Sequence, residues 1–336
     1  MRKTKLLLIA APMLIPFHSA AFEAYNSSEG SVSIYGHLRT NFTKESGKEL
    51  SLDAGSSRLG VDANYNITDT LYAIGLVEIG LKDNNQALYT RLHYTGLGGD
   101  WGQLTWGRQY TPQDDISSGV DYSWDIAGIG TRYAPIVDDT HNSAFKYVVE
   151  TETFFINSMV GLEKVGKMPG LYQAHAGFNV GPLETYFGVG REDFQGAAET
   201  QTRDLVSDYY SASAAYNIGD LTIGANAHYA TYLSGIKKSI EYTYTAASKY
   251  QINETSSVFG GYEYVQNDQY TDENSEFNFV YIGADTRLTP NTVLYLEAGI
   301  KDGNLLSYSN KLSSNMINDT IYNNDKITRL GFRVYW

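Results

Sequence analysis

The chain contains no cysteine, which excludes disulfide bonds, cysteine-ligated metals and thiol chemistry. Cations are also scarce, because 25 Lys and Arg stand against 38 Asp and Glu. Since binding to nucleic acid depends on basic patches, we expect no nucleic-acid partner. The seven prolines are scattered, and no Pro-, Ser- or charge-rich linker divides the sequence. We therefore predict one domain, over residues 22–336.

Long apolar runs are missing beyond the N-terminus. Residues 1–21 have a positive start, an apolar middle (Leu6–Phe17) and small residues at the end, which is typical of a secretory signal peptide cleaved after Ala21. Its removal takes away three cations, leaving 22 Lys and Arg against 38 acids, a net charge of −16. No later stretch has the ~20 apolar residues of a membrane helix, so a helical membrane protein is excluded.

Tyrosine and glycine are abundant, at 28 and 32 residues, and most of the chain alternates with a period of two. In the segment Ser31–Phe42, for example, Val32 and Ile34 share one face while Tyr35 and His37 share the other. About sixteen such segments can be traced. This even number suits a single-chain barrel of the outer membrane, and we predict an all-β, 16-stranded antiparallel transmembrane β-barrel.

The connections and the faces support this prediction. Tight turns, such as Val180-Gly181-Pro182, alternate with longer polar segments, such as residues 192–206 and 303–324. The face opposite the apolar one carries charges and would line a wet lumen, because so many strands enclose too wide a space for side chains to fill. Its charged members are Arg58, Glu78, Arg91, Glu297, Arg329 and Arg333. Tyrosines near strand ends fit aromatic girdles at the membrane interfaces. These are Tyr65, Tyr94, Tyr216, Tyr229, Tyr250 and Tyr335.

One stretch, from Trp101 to Asn142, loses the alternating pattern for about thirty residues. A gap of this length is functional or marks a wrong assignment, since most connections have about 4–6 residues. It contains four aspartates and three glycines that permit tight folding. They are Asp114, Asp115, Asp121, Asp125, Gly119, Gly128 and Gly130. We predict that residues 110–142 form a long third loop that folds into the pore.

Four short segments, in order and at compatible spacing, resemble the general porins of Gram-negative bacteria. They are Ser33-Ile34-Tyr35-Gly36, Ser57-Arg58-Leu59-Gly60, residues 91–97 (RLHYTGL) and residues 102–109 (GQLTWGRQ). The chain looks most like the porins of vibrios and related marine bacteria. The resemblance implies a homotrimer of sixteen-stranded barrels in the cell outer membrane, in which the third loop narrows each pore and loop acids face a basic wall.

Carried over residue by residue, the resemblance assigns the pore constriction. Asp121 and Asp125 match the loop acids, Arg58 and Arg91 match wall arginines, and Arg108 matches another near the base of the loop. His37, Glu78 and Trp124 are further candidates. His37 stands where Lys or Arg is common, so one wall charge is mostly neutral at pH 7. The family's wall arginine soon after the loop has no clear counterpart here, and Arg132 and His141 are the alternatives. The chain also ends in Trp336, where the family has Phe.

These features predict passive diffusion of ions and small hydrophilic solutes, with modest cation preference from the acidic net charge. A substrate-specific oligosaccharide channel is the alternative, since Tyr35, Tyr72 and Tyr89 fall on the lumen face. An enzyme is not indicated, because the sequence has no nucleophile, metal or phosphate-loop motif, and we assign no catalytic residues, cofactor or metal site. An adhesive protein would need repeats that the chain lacks. We expect lipopolysaccharide and other outer-membrane lipids as surroundings.

Overall fold

A computed structural model describes residues 21–82, 87–117, 120–129, 136, 139–269 and 275–336. The predicted signal peptide lies, apart from Ala21, outside the described residues and stays a prediction. None of the helices in the described ranges is long and apolar enough to cross a membrane. The elements are β1 (Phe22–Ser27), β2 (Gly30–Glu45), β3 (Ser51–Asp53), β4 (Arg58–Thr68), β5 (Leu71–Lys82), β6 (Ala87–Gly99), β7 (Gly102–Tyr110), α1 (Pro112–Ser117), β8 (Thr140–Glu150), β9 (Phe154–Gly161), β10 (Gly170–Val180), β11 (Leu183–Phe194), a 3-10 turn (Ala198–Thr200), β12 (Leu205–Ile218), β13 (Leu221–Ser234), β14 (Lys237–Gln251), β15 (Ser256–Gln269), β16 (Ser275–Thr289), β17 (Thr292–Tyr308) and β18 (Ile317–Tyr335).

Sixteen of these strands, β2 and β4–β18, form a closed antiparallel barrel, as predicted. Each strand pairs with the next, and the barrel closes where β18 pairs with β2 from Ile327 opposite Glu45 to Tyr335 opposite His37. Trp336 completes the closure, since its backbone exchanges two hydrogen bonds with Gly36. The short strands β1 and β3 pair with β2 and lie outside the ring of sixteen.

The two ends of the barrel differ in their connections, as expected. At one end, turns such as residues 219–220 are short, and Gly219 has the left-handed φ of +59° that its tight turn requires. At the other end most connections are longer, except that residues 235–236 alone join β13 to β14. The expectation of a loop over residues 303–324 was wrong in extent. β17 continues to Tyr308 and β18 begins at Ile317, because polar residues suit a strand that stands in water above the bilayer.

The strands have an apolar outer face and a largely polar inner face. Leu38, Leu296 and Ile282 on the outer face are 52%, 51% and 67% exposed, whereas Glu263 and Glu297 on the inner face are almost fully buried. Closure pairs every wall strand on both sides, so no strand edge is left for hydrocarbon to contact.

A β-bulge in β6 overturns the predicted facing of two residues. Glu78 pairs with Leu92 and Ile79 with Thr90, so Arg91 is an extra residue between the two pairs. Beyond the bulge the alternation is inverted, which places Leu92 on the inner face with Glu78. Tyr94, predicted in an outer aromatic girdle, is likewise an inner-face residue.

Candidate pore constriction

The long loop connects β7 to β8, and its described residues contact inner-face side chains of several strands. At its start the backbone N–H of Gln113 in α1 donates to Oε1 of Gln173 on β10, at 3.2 Å. Further along, Val120 lies against Gly224 of β13, where a Cβ would stand 2.7 Å from a Val120 methyl group. Gly224 therefore gives the loop the space to approach the wall.

Asp125, one of the predicted loop acids, contacts two arginines of the closing strands. Its Oδ1 lies 2.8 Å from Nη1 of Arg39 on β2 and 3.1 Å from Nη2 of Arg333 on β18. The hydroxyl of Tyr295 lies between two acceptors, the other carboxylate oxygen and Oδ1 of Asn41, which is 2.8 Å away. The three charged side chains are 8–10% exposed. We call this group the Asp125 cluster, and it ties the loop directly to the wall.

Trp124, beside Asp125, is held by ring contacts and by hydrogen bonds. Its ring stacks on Tyr295, with centroids 5.3 Å apart, and the Arg333 guanidinium lies 4.7 Å from the indole centroid. The indole Nε1 donates to Asp285 at 3.0 Å, and Nη2 of Arg333 donates to the Trp124 carbonyl at 2.8 Å. Cation–π contact and hydrogen bonding together hold the ring flat against the wall.

Two buried glutamates of the wall accept hydrogen bonds from the loop backbone. Glu297 accepts from the hydroxyl of Ser123 at 2.7 Å and from the N–H groups of Trp124 and Asp125 at 2.6 and 3.1 Å. Glu263 accepts from the N–H of Gly128 at 2.7 Å. Carboxylates satisfy backbone donors that the irregular loop cannot pair internally.

Asp121, the second predicted loop acid, lies among these carboxylates and not beside the arginines. Burial of its carboxyl and the negative charge of Glu263, followed by that of Glu297, raise its pKa to about 8, although Ser123 N–H donates to it at 3.2 Å. The residue as a whole is only partly buried, so the enclosed part is the carboxyl group. Asp121 is therefore poised to be largely neutral near pH 7.

An apolar cluster inside the barrel supports the same part of the loop. Ile126 packs against inner-face aromatic side chains of β15 and β16, and Trp124 and Ile129 join at its border. These aromatic residues are Phe259, Phe277, Phe279 and Tyr281. The inner face is thus not charged throughout, because the region under the loop is a packed core.

A second charged group, the Glu78 cluster, lies within the wall. Glu78 is 2.7 Å from Nε of Arg91 and 3.6 Å from Nη1 of Arg58, and Tyr35 donates to it at 3.1 Å. Both arginines also donate to the hydroxyl of Tyr110 at the end of β7. The structure therefore brings the three predicted wall residues together, but it pairs them with one another and not with Asp125.

The remaining candidates lie elsewhere. His37 is opposite Arg58 in the register, and its Nε2 is 3.2 Å from the Ser56 carbonyl. Arg108 pairs with His93 in the register, and its Nε donates to the Arg91 carbonyl at 2.6 Å. Its place in the constriction stays a prediction.

Neither alternative for the missing wall arginine is supported by a described contact with the loop acids. His141 is buried, and its ring nitrogens contact the Pro169 carbonyl and the Ser143 N–H. Arg132 lies outside the described residues. A different arginine, Arg329 of β18, contacts the loop, since its Nη1 donates to the Asp125 carbonyl at 3.2 Å.

The three lumen tyrosines considered for sugar binding lie flat over glycines of the neighbouring strand. Tyr35 covers Gly60, Tyr72 covers Gly98 and Tyr89 covers Gly80. Their hydroxyls contact Glu78, Gln103 and Arg91 respectively. Because the rings cover the wall and their hydroxyls already have partners, we interpret these tyrosines as packing residues of the wall.

Two outer loops, residues 195–204 and 309–316, are joined at the barrel mouth. Nη2 of Arg203 donates to the carbonyls of Lys311 and Ser314, at 2.6 and 2.5 Å. The backbone N–H of Leu312 donates to the Gln201 carbonyl at 2.9 Å. Met316 packs beside them in a buried cluster with Leu205, Tyr209, Ala230 and Tyr232.

Sequence reasoning missed the partners of the loop. Arg39, Glu297 and Arg333 all fell on the correct inner face by alternation, but nothing in the sequence linked them to Asp125. The signal that could have pointed to them is their position on strands adjacent at the closure, since β17, β18 and β2 meet there.

A closed sixteen-stranded barrel with an apolar outside and a charged inside is the architecture of a transmembrane channel protein. The described residues contain no group of three or more His, Cys, Asp and Glu side chains able to hold a metal ion. The family model for Gram-negative porins matches residues 9–304, and the chain belongs to this family. Family and fold indicate a channel of the outer membrane and not an enzyme.

Individual relatives agree with this assignment. The chain is 25% identical to the porin-like protein H of Photobacterium profundum over 283 residues, which are 79% of this chain and 82% of the relative. It is 30% identical to OmpT of Vibrio cholerae in its trimer form, with a TM-score of 0.82 over 92% of this chain and 100% of the neighbour. An anion-selective porin of Comamonas acidovorans shares the fold, with a TM-score of 0.75 and 16% identity over 92% of this chain and 100% of that one.

Proposed function

We propose that the protein is an outer-membrane porin for passive diffusion of ions and small hydrophilic solutes. The observation that carries this proposal is the contact of the long loop with the inner face. Trp124, Asp125 and Ile126 are held by hydrogen bonds, an ion-pair cluster and apolar packing to the strands β15–β18 and β2. We infer that the loop narrows the lumen and that a water-filled path remains beside it.

The Glu78 cluster borders that path. The side chain of Arg58 is 21% exposed, against 8% for Arg39 and Arg333, so it is more accessible to a passing ion than the arginines that bind Asp125. The arginines of the Asp125 cluster lie at contact distance from the loop acid and do not face it across open water. Asp125 and Arg58, a loop acid and an arginine of the predicted basic wall, therefore belong to separate clusters.

We propose weak selectivity with a modest preference for cations. The four arginines of the two clusters and Arg329 stand against four charged carboxylates, so the local charges nearly cancel. The charged carboxylates are Glu78, Asp125, Glu263 and Glu297, whereas Asp121 is largely neutral near pH 7. The net charge of −16 of the predicted mature chain then favours cations. Because the anion-selective Comamonas porin has the same fold, wall charges and not the fold set the sign of selectivity.

A homotrimer in the outer membrane, exported through the cleaved signal peptide, completes the proposal. The trimer form of the related OmpT supports the oligomeric state. The apolar outer face supports contact with membrane lipids, among them lipopolysaccharide.

Conductance in planar bilayers, measured with neutral sugars of rising size, tests the function. Passive diffusion predicts a smooth decline in conductance as the sugar approaches the pore size. Saturable block by one sugar would overturn the proposal in favour of an oligosaccharide channel. That alternative has no support from Tyr35, Tyr72 and Tyr89, because each ring is packed over a glycine. Absence of any channel activity would overturn both.

A further inference from the structure

The outer face has a groove of about 750 Å³ across strands β14 to β18. Its floor is made by small residues, chiefly Ser248, Gly260 and Ala298, and its sides by larger apolar ones. Val280 and Ile282, which border it, are 56% and 67% exposed. The groove therefore interrupts an otherwise full apolar surface.

The register explains why the surface is hollow here. Ser248 pairs with Gly260, Gly260 with Ile282 and Ile282 with Ala298, so small residues stand on both sides of Ile282. A Cβ on Gly260 would lie 2.9 Å from the Tyr281 carbonyl oxygen, which restricts that position to a small residue. Since this face meets hydrocarbon, an alkyl chain is the group that fills such a hollow.

A lysine stands at one end of the groove. Lys326 pairs with Ile300 and lines the groove, and its ammonium makes no ion pair within the part of the chain that the structure describes. A second lysine, Lys44, pairs with Thr328 at the same edge, and its ammonium donates to the Lys48 carbonyl. The acid nearest in register, Asp302, accepts from the N–H of Asn324.

The height of Lys326 places it at the membrane–water boundary on the loop side. Along β17 the outward residues Leu294, Leu296, Ala298 and Ile300 are apolar, and Asp302 is the first charged one. Lys326 lies in the row of Ile300, the last apolar row. In outer-membrane barrels the end with long loops is extracellular, so this row meets the head groups of the outer leaflet.

A second outer groove, of about 530 Å³ over β7–β12, provides a contrast. It also has a cation at its edge, but Arg191 lies 2.9 Å from Asp208 and 3.5 Å from Asp193. Its charge is therefore already compensated by the protein. Of the two grooves, only that of β14–β18 combines an alkyl-sized hollow with a cation that has no protein counter-ion among the described residues.

We propose that the β14–β18 groove binds one acyl chain of a phosphorylated glycolipid of the outer leaflet, with Lys326 holding a phosphate. This inference rests on the proposed outer-membrane location. An ammonium beside an anionic membrane surface attracts it by about 1 kcal/mol, equivalent to roughly a fivefold change in affinity. The apolar groove holds the acyl chain below the phosphate. The two contacts together select a lipid that has both an acyl chain and a phosphate.

Native mass spectrometry of the detergent-solubilised protein, titrated with lipid A, dephosphorylated lipid A or phosphatidylcholine, tests the proposal. Lys326→Gln is expected to weaken lipid A binding about fivefold and to leave binding of the dephosphorylated lipid unchanged. Ala298→Trp fills the groove and should weaken both glycolipids. Lys238→Gln, an exposed outward lysine elsewhere, and Ala174→Trp, in the second groove, are matched controls that should bind as wild type does.

Equal binding by Lys326→Gln and Lys238→Gln, or equal effects of the two tryptophan variants, would overturn the proposal. Loss of the oligomer in Ala298→Trp would overturn it too, since the groove would then be an interface between copies. Conductance of the same preparations separates this failure from that of the proposed function. Normal channels without lipid A binding refute the lipid site alone, whereas a wild type without channels refutes the porin proposal.

Discussion

The Asp125 and Glu78 clusters have nearly the same composition and different tasks. Each sets one carboxylate between two arginines and adds a tyrosine hydroxyl. In the Asp125 cluster the acid comes from the long loop, so the ion pairs join two parts of the chain that are otherwise separate. In the Glu78 cluster all charges belong to the wall. The same chemistry thus fastens a loop in one place and charges a surface in the other.

The largest expected effect comes from removing the carboxylate of each cluster, and it should distinguish the role of the Asp125 cluster from that of the Glu78 cluster. Asp125→Asn and Glu78→Gln each leave two mostly buried guanidinium groups without a counter-ion, at a cost of about 3–5 kcal/mol in the free energy of unfolding. Asp125→Asn alone should also raise single-channel conductance and current noise, because the loop is released. Denaturant unfolding and planar-bilayer recordings measure the two quantities. If Glu78→Gln raises single-channel conductance as much as Asp125→Asn does, the two clusters do not have different roles.

Glu297→Gln should weaken a second attachment of the loop to the wall, beside the Asp125 cluster. An amide cannot accept at both oxygen positions, so at least one of the donors Ser123, Trp124 and Asp125 loses its partner, at a cost of about 3 kcal/mol. Current noise in single-channel recordings should increase. Glu241→Gln is the control, since Glu241 is equally buried and accepts from two wall residues, Tyr232 and Asn267. Wild-type noise in Glu297→Gln would show that its bonds do not hold the loop.

Arg58→Gln should change selectivity and leave the loop in place. Loss of one charge bordering the path raises cation preference, by up to roughly fivefold in the permeability ratio, since a unit charge at 4 Å in water is worth about 1 kcal/mol. Reversal potentials in a salt gradient report the change, and Arg191→Gln on the outer face should leave them unaltered. An unchanged reversal potential in Arg58→Gln would remove the Glu78 cluster from the ion path.

A pH titration should give the smallest effect and sharpen the account of the loop anchor. The pKa of Asp121 is about 8, above its ordinary 3.8, so the folded state binds the proton more tightly and this stabilisation is lost as the pH rises from about 4 to about 8. Ionisation beside Glu263 and Glu297 should then increase loop noise above pH 8. Asp121→Asn should abolish this pH dependence; its persistence in that variant would assign it to another group.

Much of the barrel could be predicted from the sequence, because alternation reports directly which residues share a face. Prediction from alternation failed where one extra residue in a strand exchanged the inner and outer faces. The bulge at Arg91 inverted the facing of Leu92 and Tyr94, and a single inserted residue leaves no mark in a pattern of period two. Similarly, polar residues above the membrane hid the continuation of β17 to Tyr308, since strands in water need no apolar face.

The loop contacts were beyond prediction for a different reason. Asp125 and Arg39 are far apart in the chain, and their contact depends on the path of an irregular backbone. The resemblance drew attention to a carboxylate in this segment. The arginines that Asp125 contacts are determined by the position of the neighbouring Ile126, which packs among the inner-face phenylalanines. No local sequence pattern encodes this packing.

The pairing of β18 with β2 also has a temporal consequence. These strands lie far apart in the chain, so the ring cannot close until β18 has been synthesised. Before that moment the sheet has two unpaired edges, which a membrane interior cannot satisfy and which invite aggregation. Closure must therefore wait for β18, and a chain that lacked this strand would be exposed to proteolysis instead of forming a smaller barrel.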